Sequence, residues 1–320
     1  MQISIAMATF NGATYLREEL ESFRQQGRAP DELVVCDDGS TDETLDILEV
    51  FRESAPFDVI LIKNDKNLGY TKNFEKALSN CSGDLIFLAD QDDIWFSFKI
   101  GVVERIFLDN PDKLLIIHDG ELVDEKLVPY GATKRGQIVA GYASDDSFIT
   151  GALTAVRREF LEYALPIPEG IVGHDGWLHN IARILDQRLV IDRCLQSIRR
   201  HSSNTTAWVA SSLKPIGKLD VVKSQFATAP SNSYQDRLLY NRSLSERLVV
   251  MEALVDSKTA ADRLKKEYDR LVAERGALLR RDALIHRGFF GRKTQALTMF
   301  GRGDYVHFNG LKSFMRDLFR

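Results

Sequence analysis

Residues 85–95 read LIFLADQDDIW, a stretch in which five apolar residues run directly into three aspartates. Such a run between polar residues is typical of a strand buried on both faces of a parallel sheet. Its acids then lie at the carboxyl edge of the sheet, where open α/β sheets bind their ligands. Because three like charges so close together repel one another, a hard divalent cation would stabilise them. The alternative interpretation is a solvated loop after the strand.

The first 120 residues alternate short apolar runs with amphipathic stretches. This is the pattern of βα units around a mostly parallel sheet. We predict strands at residues 3–7, 33–36, 59–62, 85–89 and 114–117. Apolar residues at helical spacing predict helices at residues 16–23, 45–51 and 102–107. Ser40 and Glu43 form a capping-box pattern, which places the start of the second helix directly after Gly39.

Several polar residues follow these strands and are expected to share one edge of the sheet, because parallel strands point their carboxyl ends the same way. They are Thr9, Asn11, Asp37, Asp38, Asp90 and Asp92. The sequence therefore predicts a polar pocket at this edge. Neither G-x-G-x-x-G nor G-x-x-x-x-G-K-[ST] follows the first strand, which argues against a dinucleotide dehydrogenase or a P-loop enzyme.

The composition indicates a globular protein. With 320 residues, 44% of them hydrophobic, the chain can bury the core of one large domain with an appendage. Its net charge of -4 gives no reason to expect a nucleic-acid partner. Three widely spaced cysteines favour neither a disulfide framework nor a zinc site. Without a basic leader or a long apolar stretch, the chain is expected to be cytoplasmic.

Four motifs, taken in order, resemble those of the family 2 glycosyltransferases with the GT-A fold. They are ATFNG at 8–12, DDGSTD at 37–42, NLG at 67–69 running to Asn73, and ADQDDIW at 89–95. The resemblance covers about residues 1–205 and implies an α/β fold of GT-A type, with helices flanking a mostly parallel, Rossmann-like central sheet. A narrower likeness to bacterial rhamnosyltransferases rests on DQDDIW, on HDGW at 174–177 and on IRRHSSN at 198–204.

The resemblance also implies a domain organisation. Residues 1–210 would form the catalytic domain, with a nucleotide-sugar half at 1–120 and an acceptor half at 121–210. From about residue 213 the sheet pattern disappears and helical spacing takes over, so residues 211–320 are expected to form a helical C-terminal extension.

On the donor side, the resemblance makes Thr9, Asn11, Asp37 and Asp38 contacts to the nucleotide. A carboxylate can accept the imide N–H of uracil or thymine, so Asp38 favours a pyrimidine nucleotide. Alternatively, Asp37 and Asp38 only stabilise the turn and complement the dipole of the following helix. Lys72 lies where relatives often carry a basic residue near the donor diphosphate, although a lone lysine is more often a solvated surface residue.

The DQD segment corresponds to the D-x-D motif of the family. Strand residues two apart face the same side, so Asp90 and Asp92 can address one ligand. The resemblance makes Asp92 a ligand of Mn²⁺ or Mg²⁺, cations that suit oxygen ligands and a diphosphate, and makes Asp90 a contact to ribose or donor sugar. It gives His201 a contact to the metal or the diphosphate, although a lone histidine is usually structural. Trp95 is either a packing anchor or a platform for a sugar.

The acceptor side is expected from residue 148 onward. Residues 148–153 look like a strand in which Gly151 permits close approach of a substrate. GHDGW at 173–177 opens an amphipathic helix, and the resemblance makes Asp175 the general base, with His174 beside it on the acceptor side. Inversion needs one carboxylate opposite the leaving diphosphate to remove the acceptor proton. Alternatively, Asp175 only caps the helix.

Taken together, the resemblance implies an inverting, metal-dependent glycosyltransferase. It would move a sugar from a UDP- or dTDP-sugar, dTDP-rhamnose in the narrower likeness, to a glycan hydroxyl during bacterial surface polysaccharide synthesis. The alternatives are a sugar nucleotidyltransferase and a catalytically silent carbohydrate-binding or scaffold protein.

The C-terminus is locally basic, with ten Arg or Lys against three Asp from residue 275 to 320. Apolar residues recur there at helical spacing from Tyr305 to Phe319. A basic amphipathic terminus can lie on an anionic membrane, which would suit a lipid-linked acceptor and peripheral contact with the inner face of the cell membrane. Alternatively, this apolar stripe packs against the catalytic domain or a second subunit.

Overall fold

A computed structural model describes residues 1–140, 147–201 and 233–319 of the chain. The chain divides into two compact units, Met1–Ala229 and Pro230–Arg320. The predicted boundary at residue 210 lies outside the described residues, and so does the part of the 198–204 motif that follows His201.

The first unit is built on one nine-stranded sheet in which β1 to β4 pair in parallel, as the alternating βα pattern predicts. The strand order is β3-β2-β1-β4-β8-β6-β9-β5, and β7 pairs with β6. The strands are β1 (Ile3–Thr9), β2 (Glu32–Asp37), β3 (Asp58–Lys63), β4 (Leu85–Ala89), β5 (Ile94–Trp95), β6 (Leu115–Val123), β7 (Pro129–Thr133), β8 (Thr154–Arg157) and β9 (Arg188–Arg199). The mixed α/β class with a mostly parallel sheet is therefore confirmed.

Seven helices connect the described strands of this unit. They are α1 (Ala13–Arg24), α2 (Thr44–Ser54), α3 (Tyr70–Asn80), α4 (Lys99–Asp109), α5 (Lys134–Ala140), α6 (Phe160–Ala164) and α7 (His174–Leu185). The apolar faces of α1, α2 and α4 pack on the sheet around fully buried aromatic rings such as Phe23, Phe87 and Phe107. The helices predicted from apolar spacing are present.

The start of α2 differs from the capping-box prediction. The helix begins at Thr44, whose backbone N–H donates to the Asp42 carboxylate at 3.0 Å. Ser40 is engaged elsewhere, because its hydroxyl donates to Asp37 Oδ2 at 2.6 Å and accepts from the Asn11 backbone N–H at 2.8 Å. Ser40 thus stabilises the loop after β2 and does not cap the helix.

The strand predicted at residues 148–153 is also displaced along the chain. A 3₁₀ turn covers Gly151–Leu153, and the strand begins only at Thr154. Before this turn, the Phe148 carbonyl accepts a hydrogen bond from the Arg188 guanidinium. Apolarity alone did not separate the two conformations here.

The sheet curls so that its far end returns to the acidic segment. β5 begins five residues after β4 ends, yet it pairs antiparallel with β9 at the other end of the strand order. The loop between β4 and β5 therefore lies between β4 and β9. This topology brings residues from near 90 and near 200 to one place.

The second unit is helical, as the spacing of its apolar residues predicts. Its helices are α8 (Ser233–Glu252), α9 (Lys258–Ile285), α10 (Phe289–Gly301) and α11 (Gly310–Phe319). Met299, Tyr305 and Phe314 form part of a small buried core. Among the described residues, none of the helices has the length and apolar character needed to cross a bilayer.

Candidate functional site

The carboxyl end of β4 gathers three acids around one point. Asp90, Asp92 and Asp93 each offer an oxygen, and these oxygens lie within 4.8 Å of one another. Burial, followed by the charges of Asp92 and Asp175, raises the pKa of Asp90 to about 7. This donor set consists of hard oxygen ligands that repel one another, and it fits a divalent cation such as Mn²⁺ or Mg²⁺.

His201 joins this group from the end of β9. Its Nε2 lies 2.7 Å from Asp92 Oδ2, and its ring stands 4.8 Å from the ring of Tyr15 on α1. The structure thus brings His201 to the acid that the D-x-D motif assigns to the metal. An imidazole in this position can either ligate the cation itself or orient the carboxylate that does.

Asp93 also holds the loop to β9. Its carboxylate accepts from Gln196 Nε2 at 2.7 Å and from the Arg199 backbone N–H at 3.1 Å. Its own backbone N–H donates to the buried Glu19 carboxylate. Burial, followed by the charge of Asp93, raises the pKa of Glu19 well above its usual range. Asp93 therefore has a supporting role in this site.

Arg199 also supports the loop that carries Asp92 and Asp93, a role that its position in the sequence did not indicate. Its side chain is only 2% exposed. Its guanidinium donates to the Asp92 backbone carbonyl at 3.0 Å, to the Glu125 carbonyl at 2.7 Å and to the Glu18 carboxylate, and it stacks over the Tyr15 ring. The acid loop is thereby fixed to α1 and to β9.

Trp95 lies in the core and packs there. It is 3% exposed, and its ring lies 4.7 Å from that of Phe23 and 5.8 Å from that of Phe87. The Lys99 ammonium stands 3.4 Å over its ring. Of the two interpretations of Trp95, the structure favours the packing anchor, because a buried indole offers no face to a sugar.

The residues predicted to bind the nucleotide lie at the carboxyl ends of β1 and β2. Thr9 Oγ1 donates to Asp37 at 2.8 Å, and Asp37 also accepts the backbone N–H groups of Gly39 and Ser40. The Asn11 side-chain carbonyl accepts the Thr41 N–H at 2.8 Å. Through these contacts Asp37 and Asn11 stabilise the loop after β2, which forms the rim of the predicted pocket. For Asp37, this agrees with the alternative that it stabilises the turn.

Asp38 connects this rim to the turn before α3. Its Oδ1 accepts from Asn64 Nδ2 at 3.0 Å and from the Leu68 N–H at 2.7 Å, while Oδ2 accepts from the Gly69 N–H at 2.9 Å. Among the described residues, Oδ2 accepts this one bond, and a carboxylate oxygen has two lone pairs. Asp38 therefore holds the turn and keeps a second lone pair on Oδ2, although the residue is only 2% exposed.

Lys72 is engaged away from the acid cluster. Its ammonium lies 2.9 Å from Glu75 and 3.4 Å from Glu169, and it donates to the Ile167 carbonyl. The cation that acts on the pKa of Asp90 is the buried Lys99. The structure therefore gives Lys72 a role in fixing the 167–169 segment, and it does not bring this residue into contact with the acids at the end of β4.

Asp175 lies in the first turn of α7. Its Oδ1 accepts the Gly176 N–H at 2.8 Å, a bond that a simple helix-terminus role would also make. Its charge, however, acts on the pKa of Asp90 and on the pKa of Lys134, which burial lowers to about 8. Asp175 thus shares an electrostatic environment with the acids at the end of β4.

His174 lies behind Asp175 and is buried. Its ring stacks on Phe74 with centroids 4.0 Å apart, and burial lowers its pKa to about 4, so it is neutral at pH 7. The Gly173 N–H donates to Thr71 Oγ1 at 3.0 Å, which fixes the start of α7 to α3. A buried ring in this position supports the Asp175 segment and offers no open surface to an acceptor.

Tyr70 and Lys134 are further residues near Asp175, and neither was a candidate in the sequence. A Cβ at Gly173 would lie 3.2 Å from Asp175 Oδ1 and 4.0 Å from the Tyr70 hydroxyl, so both side chains border the same point. Tyr70 is 44% exposed. Lys134 lies on an element that none of the motifs covers, and only the fold brings it here.

Residues 4–120 match the family model described as "Glycosyl transferase family 2". The dTDP-rhamnosyl transferase RfbG of Shigella flexneri is 27% identical over 263 residues, which cover 75% of this chain and 88% of that protein. Both comparisons concern mainly the first unit, where the acid cluster lies.

Two solved structures share the fold. The structure of S. aureus TarS 1-349 in complex with UDP-GlcNAc aligns with a TM-score of 0.55 and 18% identity, covering 87% of this chain and 72% of that one. The mannosyltransferase PcManGT from Pyrobaculum calidifontis, in complex with GDP-Man and Mn²⁺, aligns with a TM-score of 0.51 and 15% identity, covering 99% and 84%. At these identities the likeness shows a common GT-A fold.

Proposed function

Because residues 4–120 of this chain are a family 2 glycosyltransferase domain, we propose that the protein is an inverting, metal-dependent glycosyltransferase. Its donor is a UDP- or dTDP-sugar, with dTDP-rhamnose suggested by the likeness to the S. flexneri enzyme. Its acceptor is a glycan hydroxyl, lipid-linked during bacterial surface polysaccharide synthesis. The proposed location is the cytoplasm, with peripheral contact at the inner face of the cell membrane.

The observation that carries this proposal is the acid cluster with its histidine. Asp90 and Asp92 present oxygens within 4.8 Å of each other, and His201 stands 2.7 Å from Asp92. These residues would hold Mn²⁺ or Mg²⁺, which when bound neutralises charge that develops on the departing nucleoside diphosphate. PcManGT, which has the same fold, was solved with Mn²⁺ and a nucleotide sugar.

The chain's own residues then divide the work. Asp38 and the rim around it bind a pyrimidine nucleotide, and Asp90 contacts ribose or the donor sugar. Asp175, set apart from this cluster at the start of α7, takes the proton from the acceptor hydroxyl as the new glycosidic bond forms. One base suffices, because the nucleoside diphosphate already is a good leaving group.

The first experiment measures protection against thermal unfolding by UDP, dTDP and ADP, each with Mn²⁺. A ligand present at 100 times its Kd adds about 2.7 kcal/mol of stability. We expect protection by UDP or dTDP and none by ADP. Stronger protection by ADP would contradict the role of Asp38.

The second experiment separates binding from transfer by substitution. Asp92→Ala should lose Mn²⁺-dependent protection by the nucleotide, whereas Asp175→Ala should keep it and lose transfer by about 10²-fold or more. Asp65→Ala, at an exposed acid, is the matched control and should do neither. Normal turnover by Asp175→Ala would exclude it as the base. If the nucleotide protects the unaltered chain but the chain transfers sugar to no glycan, a silent binding protein is favoured. If the chain instead converts the nucleotide sugar and pyrophosphate to a nucleoside triphosphate, a nucleotidyltransferase is favoured.

A further inference from the structure

The last helix of the second unit, α11, has an exposed apolar face and a buried face. Successive residues turn by about 100° around a helix, so positions four apart lie along one line. Leu311, Met315 and Phe319 occupy such a line and are 64%, 44% and 71% exposed. Phe314 and Asp317 face inward and are buried. Large apolar side chains therefore cover the outward face of α11.

The helix before it presents a similar face. Phe289 and Phe300 lie three turns apart on one side of α10 and are 57% and 50% exposed. Leu297 lies beside them and is 56% exposed. Phe290 is 81% exposed. Phe300 also stacks on Phe314, a residue of the buried face of α11, with ring centroids 4.3 Å apart, so the two helices pack against each other at this point. Together they form what we call the apolar-basic surface, residues 286–319.

All solvent-facing charge on this surface is positive. Its two acids, Asp304 and Asp317, are buried and each is bound by an arginine of α9, Arg280 and Arg281, at 2.7 Å. The basic residues that are exposed or half-buried are Arg287, Arg292, Lys293, Arg302, Lys312 and Arg316. On α11, Lys312 and Arg316 directly flank the apolar line.

We propose that the apolar-basic surface binds an anionic lipid bilayer. Apolar side chains next to cationic ones match a bilayer interface, where hydrocarbon lies beneath negative headgroups. A second copy of the chain is disfavoured as the partner, because the basic residues of the two copies would then face each other and repel. This partner extends the location proposed above and so rests on it, but the surface needs neither metal nor nucleotide to act.

The test is sedimentation of the full chain with vesicles, either of pure phosphatidylcholine or with about a quarter phosphatidylglycerol. We expect binding to the anionic vesicles, weak binding to the neutral ones, and release by about 0.5 M salt. Because no nucleotide or metal is added, the result does not depend on the glycosyltransferase activity.

Two double variants probe the two components of the surface. Leu311→Ser with Phe319→Ser, and Lys312→Glu with Arg316→Glu, should each weaken binding to anionic vesicles by about tenfold or more. Val249→Ser with Val250→Ser is the matched control, since these side chains of α8 are 57% and 51% exposed and lie outside the surface. Circular dichroism verifies that each variant is folded.

Three results would overturn the proposal. The first is no sedimentation with anionic vesicles by the unaltered chain. The second is equal loss of binding in the Val249/Val250 control. The third is a stable dimer that Leu311→Ser with Phe319→Ser converts to a monomer without any change in lipid binding, because a second copy would then be the partner.

Discussion

Replacing Arg199 by Met tests whether the acid loop is held from beneath by a buried guanidinium. The methionine keeps an apolar stem of similar length but removes the donors to the Asp92 and Glu125 carbonyls, which lie 3.0 and 2.7 Å from the guanidinium. Each carbonyl left unpaired costs about 1–3 kcal/mol. Glu18 adds little, because its carboxylate is 56% exposed and can turn to water. Because Glu125 is an exposed residue, the main cost comes from the Asp92 carbonyl, and we expect Arg199→Met to lower the free energy of unfolding by about 1–3 kcal/mol.

The assay is urea unfolding followed by tryptophan fluorescence. Trp95 and Trp177 are buried in the first unit and report on its unfolding. Arg193→Met, at an exposed position of the same strand, is the matched control and should change stability by no more than about 0.5 kcal/mol. If the two variants were equally stable, the guanidinium would not hold the loop. A second consequence is weaker Mn²⁺-dependent protection by UDP in Arg199→Met under conditions where the variant is folded.

Two further predictions concern a buried histidine and a buried glycine. Burial, followed by the charge of Arg188, lowers the pKa of His179, so the unfolded chain takes up a proton below about pH 6.5 and the folded chain does not. Stability from this residue is full above that pH and is lost below it. Between pH 7.5 and 5.5 the wild type should therefore lose about 1.4 kcal/mol relative to His179→Gln. Gly12→Ala should cost about 1–3 kcal/mol, because its Cβ would lie 2.3 Å from Gln91 Oε1 and would displace the Gln91 amide from its hydrogen bonds to the Phe10 backbone. Gly101→Ala, with its nearest neighbour at 3.7 Å, should be tolerated. Urea unfolding of both variants checks this.

The local parts of the fold were predictable because each has its own sequence signal. The run at 85–89 became β4 at those residues, and the spacing of Leu16, Leu20 and Phe23 became the buried face of α1. The placement of β5 against β9 was not predictable, since it pairs Ile94 with Ser197 and no local pattern encodes such a contact. His201 nevertheless lies 2.7 Å from Asp92, the residue that the resemblance makes a metal ligand.

The supporting residues escaped prediction for a different reason. Charged side chains are rarely buried, so Glu19, Lys99 and Arg199 read as solvated positions in a sequence. Glu19 carried one signal, because it lies among Leu16, Leu20 and Phe23 on the apolar face of α1. Lys72 is the opposite case, since a cation near a motif in sequence is engaged with Glu75 and Ile167.

The acid loop is fixed before any ligand arrives, and this bears on how it would bind one. Gln91 accepts the Phe10 N–H at 2.9 Å and donates to the Phe10 carbonyl at 3.0 Å, while Asp93 is bound by Gln196 and Arg199. The residues that alternate with Asp90 and Asp92 thus carry the structural contacts. Because the loop cannot move the two acids apart, their repulsion persists and burial raises the pKa of Asp90 to about 7. A divalent cation would relieve that repulsion without reorganising the backbone, which is the condition for tight binding at a preorganised site.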